Sequence, residues 1–117
     1  MKIGVVGSRT ITDYETLSDA LTNAPCSWMD DSKFISGGAD GVDTLAERYA
    51  ARNNIPIEVI EPDWEDWSEG HPAHVRNERI VDKSDAVIAL WDGQSNGTRN
   101  TIDAALNDGT PICVMMA

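Results

Sequence analysis

A chain of 117 residues has room for one hydrophobic core but not two, so a single domain over residues 1–117 is expected. Its 20 acidic and 9 basic residues leave a net charge of −11, which repels phosphate backbones and disfavours nucleic acid as a partner. No apolar stretch is long enough to cross a bilayer, and Gly7-Ser8-Arg9 cuts the opening apolar run too short for a signal peptide. A cytoplasmic protein with no membrane partner is therefore expected.

In chain order, Lys2 to Val6 is a continuous β-branched run, the pattern of a central parallel strand covered on both faces. A helix follows from about Asp13, with Leu17, Ala20, Leu21 and Ala24 at helical spacing and Pro25 ending it. Cys26 falls in the loop beyond, and Asp30-Asp31-Ser32 is a second loop stretch. Phe34-Ile35-Ser36 is the second strand. In the second helix Val42, Leu45, Ala46, Tyr49 and Ala50 form one apolar stripe, stopped by Asn53-Asn54 and Pro56. Ile57 to Ile60 is a third strand, placed at an edge by Glu58. A polar loop bearing Trp64 and Trp67 leads to a third helix over Pro72 to Lys83. Ala86 to Trp91 is a fully apolar strand. Helix four carries Ile102, Ala105 and Leu106 and ends at Gly109. Ile112 to Met116 is the last strand, and its Cys113 reads as a buried thiol.

The order βαβαβαβαβ implies an α/β, Rossmann-like three-layer sandwich around a five-stranded parallel sheet. Strand order 3-2-1-4-5 puts the polar third strand at one edge. The fifth strand is very apolar for the other edge, so a second copy of the chain, in a homodimer or higher homo-oligomer, is expected to cover it. The acidic residues concentrate on solvent faces and in loops, at Asp13, Glu15, Asp19, Asp30, Asp31, Glu65, Asp66 and Glu69. Salt adaptation of an organism or its virus accounts for this, and so does ordinary acidic solubility.

Three glycine-bearing turns, each between a strand and a helix, fall on one edge of such a sheet. They are Val6-Gly7-Ser8-Arg9, Ser36-Gly37-Gly38-Ala39-Asp40-Gly41 and Asp92-Gly93-Gln94-Ser95-Asn96-Gly97-Thr98. That edge is where open α/β sheets bind ligands. Helix N-termini present unpaired N–H groups there, and glycine lets a phosphate approach the backbone. Ser8, Ser95 and Thr98 add hydroxyls and Arg9 a fork of donors. Asp40 and Asp43 fit helix capping or ribose and base contacts better than phosphate. Any one turn is also explained as a plain tight connection. The first lacks G-x-G-x-x-G, and no Gly-Lys-Ser/Thr occurs.

On helix three, Arg76 and Asn77 share the inward stripe of Ala73, Ile80 and Val81, a costly place for polar groups unless they reach a partner. They face a ligand, or Arg76 pairs with Glu78 or a loop acid at the surface. His71 and His74 read as surface histidines, and no metal site or cofactor is expected. Trp64 and Trp67 stack on a base or pack their loop down. Trp91 lies beside the third turn.

With Pro62-Asp63-Trp64, Arg76-Asn77 and Trp91-Asp92-Gly93 added, the three turns form an ordered set spanning nearly the whole chain. The set resembles the SLOG superfamily, the group related to the SMODS-associated and Lonely-guy proteins, and within it the YspA/YpsA-related branch. The first two turns are also similar to the Rossmann-like domain of the DNA-processing protein A family. The resemblance implies a Rossmann-like fold that binds nucleotides or their derivatives, and a homo-oligomer. Lonely-guy enzymes are phosphoribohydrolases that use an arginine on the third helix and a glutamate soon after a Pro-Gly-Gly-x-Gly-Thr turn. Arg76 matches the arginine and Gly97-Thr98 the end of the turn, but Arg99, Asn100 and Thr101 follow and the glutamate is missing.

The leading expectation is a binder of a nucleotide or nucleotide-derived small molecule, acting as a sensor or sequestering module. Its expected contacts are Gly7, Ser8, Arg9, Gly37, Gly38, Ala39, Asp40, Gly41, Asp43, Trp64, Arg76, Asn77, Asp92, Gly93, Ser95, Gly97 and Thr98. A nucleotide-processing hydrolase is the second reading, with Arg76, Glu78 and Asp43 as candidate catalytic groups. Single-stranded DNA binding ranks last, because of the charge.

Overall fold

A strand covered by helices on both faces has no side left for water, and the two central strands meet that condition. Ile3, Val5 and Val6 in β1 (Lys2–Gly7) and Ala86 through Leu90 in β4 (Ala86–Trp91) are all buried. The computed structural model describes residues 1–24, 28 and 31–117. The remaining strands are β2 (Lys33–Ser36), β3 (Ile57–Val59) and β5 (Ile112–Met116). The helices among the described residues that reach regular length are α1 (Tyr14–Thr22), α2 (Val42–Arg52), α3 (Pro72–Lys83) and α4 (Asn96–Asp108). All strand pairs are parallel and the order is β3-β2-β1-β4-β5, as the apolar pattern implied.

Successive side chains on a strand point to opposite faces, and the core divides accordingly. Ile3, Val5, Phe34, Ile88 and Leu90 meet Leu17 and Leu21 of α1 and Val42, Leu45 and Ala46 of α2. Val6, Ile35, Val87 and Ala89 meet Ile80 and Val81 of α3 and Ala105 of α4. Helices α1 and α2 thus cover one face and α3 and α4 the other. The chain changes face across the β1–β4 pair, and a crevice opens beyond the strand C-termini where it does so.

Local signals set the helix limits. Asp13 caps α1, its Oδ1 accepting from Glu15 N at 3.2 Å. Helix α1 ends at Thr22 with Asn23 as its cap, before Pro25. Pro25, Cys26 and Asp30 lie outside the described residues. Gly109, at φ +77°, ends α4 in the left-handed conformation that glycine tolerates best.

The two sheet edges differ. Glu58 on β3 is held by Lys83 at 2.7 Å and Lys33 at 3.5 Å. The Lys83 hydrogen bond, then its charge, hold the Glu58 carboxyl below its ordinary range. On β5, Val114 and Met116 stand exposed and Cys113 is a half-buried free thiol. Cys113, expected as a buried thiol, is therefore only partly covered, because β5 is an edge strand. On α4 the buried stripe runs through Thr98, Thr101 and Ala105, and Leu106, one position round the helix from Ala105, is 63% exposed.

Leu17→Ala should lower the unfolding free energy by about 2–5 kcal/mol, and Leu106→Ala by less than about 1 kcal/mol. Urea titrations of both variants measure this. Equal losses would refute the assignment of faces.

Candidate functional site

The three turns form one packed unit. Ser8 is fully buried and lies at its centre. Its N–H donates to Leu90 O at 3.0 Å, and its carbonyl accepts from Ile11 N at 3.3 Å and Val42 N at 3.4 Å. Its Oγ accepts from Asp92 N at 3.1 Å. Turn one is therefore bonded to both of the others. Gly41 permits this at φ +78°, where a Cβ would lie 2.5 Å from Ser8 O and 2.6 Å from Arg9 Cα. The glycine is needed there because two backbones touch.

Helix α3 supplies the second set of ties. Arg76 and Asn77 are buried, as the inward stripe required. The Arg76 Nη1 donates to Gly37 O at 2.6 Å and its Nε to Asn77 Oδ1 at 2.8 Å. Asn77 Nδ2 donates onward to Gly97 O at 3.3 Å and Asn100 Oδ1 at 3.2 Å. One guanidinium and one amide thus join turn two to turn three. A Cβ on Gly37 would fall 2.7 Å from Arg76 Nη1, so that glycine makes room for the arginine. Burial lowers the Arg76 pKa from its ordinary value and the nearby Asp43 charge opposes the shift.

Two carboxyls at this edge are tuned in opposite directions. Asp43, in the first turn of α2, is buried, and its Oδ2 accepts from Ala39 N at 3.1 Å. Burial dominates and pushes its pKa up to about 6, against the pull of the Ala39 bond and of Arg76. Asp92 goes the other way, to about 2. Its Oδ1 accepts from Gln94 N and Ser95 N, both at 2.8 Å, and its Oδ2 from Thr10 Oγ1 at 2.7 Å. Asp92 is thereby committed to shaping turn three.

Above these ties lies a cavity of about 400 Å³. It is bordered by Gly7, Arg9, Ala39, Asp43, Arg76, Asn77, Asp92, Ser95, Gly97 and Thr98. A second cavity of about 370 Å³ shares Arg9, Ala39 and Arg76 with the first and adds Gly37, Gly38, Asp40 and Trp64. Ser8 and Gly41 lie beneath, bordering neither. Gly93, at φ +82°, faces Met116. Ser95 Oγ caps α4 by accepting from Thr98 N at 3.3 Å and Thr98 Oγ1 at 3.1 Å. Trp91 donates its Nε1 to Ser95 O at 3.0 Å and braces the turn from outside the cavities. Glu78 is turned away, bordering a groove between α3 and α4 with Asp82 and Asn107. It does not meet Asp43 and Arg76, so the three-residue catalytic set is not assembled.

Thr10, Gln94 and Thr101, not among the expected contacts, also border the first cavity, as does His74, which reads from sequence as a surface histidine. His74 precedes Asn77 by three residues, a spacing that puts both on one helix face. Among the described residues no group of three His, Cys, Asp or Glu side chains could hold a metal ion. No described helix is long and apolar enough to cross a membrane.

The model of the YspA, cpYpsA-related SLOG family matches residues 1–67. The Gene 61 protein of Mycobacterium phage D29 is 30% identical over 117 aligned residues, covering 95% of this chain and 93% of that protein. The chain belongs to the YspA, cpYpsA-related SLOG family. Among solved structures, DNA processing protein A of Helicobacter pylori, described for its single-stranded DNA binding mode, has 22% identity and a TM-score of 0.72. DNA processing protein A of Streptococcus pneumoniae has 18% identity and a TM-score of 0.76. Each match covers 97% of this chain, which spans 64% of the first protein and 49% of the second. A structural-genomics target has 23% identity and a TM-score of 0.69, covering 95% of this chain and 71% of that one.

These likenesses correct two expectations from sequence. A small-molecule sensor or sequestering module ranked first there, and nucleic acid was disfavoured as a partner. The same fold occurs in a protein described by its single-stranded DNA binding, which reverses that order. The physical reason is that net charge belongs to the whole chain, whereas binding depends on the field at one edge.

The Asp43 carboxyl gives this site a pH signature. Its folded pKa of about 6 lies above the ordinary 3.8, so the folded protein holds that proton more tightly than the unfolded chain does. The stabilisation is full below about pH 4 and is lost as pH rises through about 6. Asp43→Asn should match wild type near pH 4 and exceed it by up to about 3 kcal/mol at pH 8. Urea unfolding at both pH values measures the difference, and a constant offset would refute the cause.

Proposed function

We propose that the turn edge of this SLOG-family chain binds single-stranded nucleic acid, with a backbone phosphate held between Arg9 and the start of α4. The observation that carries the reading is the open α4 N-terminus, which borders the same cavity as exposed Arg9. The N–H groups of Asn96 and Gly97 have no acceptor among the described residues, and nothing lies within 4 Å of a Cβ built on Gly97. Unpaired amides, the positive end of a helix and a guanidinium all favour the same anionic group. A cavity of about 400 Å³ has the size of a small-ligand pocket and admits one nucleotide of a flexible strand. The shared fold with a single-stranded DNA-binding protein supports the reading. A cytoplasmic location goes with it.

The charge pattern sets the expected strength. Arg9 is the exposed cation bordering the cavity, with Arg76 buried beneath it, so about one or two phosphates are neutralised. Single strands lose affinity with a slope of roughly −0.7 per neutralised phosphate on log–log axes. Oligo-dT binding, followed by fluorescence anisotropy between low and moderate salt, should give a slope of about −1. Arg9→Ala should weaken binding on every sequence and flatten the slope by about 0.7. An unchanged slope, or duplex bound as tightly as single strand, would overturn the reading.

A further inference from the structure

The segment between β3 and α3, residues 61–71, contains no buried residue, and Trp64 and Trp67 are 56% and 59% exposed within it. The segment is nevertheless built. Asp63 Oδ1 accepts from Glu65 N at 3.1 Å, and Asp66 Oδ1 accepts from Ser68 N at 3.0 Å. Trp67 Nε1 donates to Trp64 O at 3.0 Å, and Gly70 N to Trp67 O at 3.2 Å. His71 stands edge-on to both indoles, with ring centres 5.9 Å from Trp64 and 4.9 Å from Trp67. Its Nδ1 also accepts from Ala73 N at 3.1 Å, which ties the aromatic cluster to the start of α3. Two large apolar rings are thus held in place while much of their surface stays in water. Folding gains little from that arrangement.

Trp64 also borders the second cavity, together with Pro62 and Arg9. Asp40 and Glu61 border the same space. Two carboxylates beside an exposed indole repel a phosphate and accept N–H donors, so the chemistry of this pocket suits a base. Arg9 and Arg76 lie in the wall shared with the first cavity, where the phosphate would sit.

We infer that the two cavities receive adjacent nucleotides of one strand, with a base stacked on Trp64 and the linking phosphate on Arg9. This rests on the single-strand reading and extends it. The ligand becomes an oligonucleotide of two or more residues, and the Trp64 pocket reads the presence of a base rather than its identity, since every base has a π-face.

A double substitution cycle tests it. Wild type and Trp64→Ala are titrated with oligo-dT, and with oligo-dT carrying one abasic residue at each position in turn. Wild type should lose about 5- to 100-fold in affinity when the abasic residue occupies the stacking position. Trp64→Ala should lose a similar factor on intact oligo-dT and show no further loss at that position. Trp64→Phe, which keeps an aromatic face, should recover most of the affinity and again sense the missing base. If wild type binds and Trp64→Ala binds equally well, the stacking assignment fails while the single-strand reading stands. It fails likewise if the two losses simply multiply, because Trp64 would then act elsewhere. If wild type binds no oligonucleotide, the underlying reading fails with it.

Discussion

The site depends on one buried guanidinium. Arg76 reaches from α3 to the carbonyl of Gly37 and, through Asn77, to the carbonyl of Gly97. Taking a guanidinium out of water costs several kcal/mol unless its donors find acceptors, and here fixed backbone and amide oxygens supply them. In return, two loops from opposite sides of the β1–β4 crevice, where the chain changes face, keep a set spacing. Both cavities meet at this residue, so their shapes are not independent. A site tied together in this way is formed before its ligand arrives and loses little freedom on binding.

The neighbouring carboxyls show how local surroundings divide the work of one residue type. Asp92 is surrounded by donors and is a structural anion at any ordinary pH. Asp43 sits in a dry place and keeps its charge at neutral pH against a folding penalty. A buried acid that destabilises its own fold is the kind of departure from local consistency that functional sites show.

Much of this was legible in the sequence. Continuous β-branched runs gave the parallel strands, Glu58 marked an edge, and Gly109 marked the end of α4. The polar pair Arg76-Asn77 on an apolar stripe pointed to a partner on the inside, and the structure supplies one. What escaped were facts about contact. Gly37 and Gly41 read as openings for a phosphate, yet they make way for Arg76 and for the Ser8–Arg9 backbone. Asp92 looked free to choose a ligand until its two oxygens were found shaping a turn. Glu78 follows Arg76 by two positions, which on a helix turns it to another face. The net charge misled because an integer over 117 residues carries no position.

The stretch from residue 61 to 71 leaves the fold after a bond from Ile60 N to Ser36 O and rejoins it at buried Pro72. Between these points it gives nothing to either hydrophobic cluster. Apart from His71, which caps α3, substitutions there disturb no buried packing, whereas the residues beneath, such as Arg76 and Gly37, are locked to one another. Selection can therefore reshape the rim of the site while the floor stays fixed. Relatives built on this scaffold can diverge in what they grip without first acquiring stability to spare.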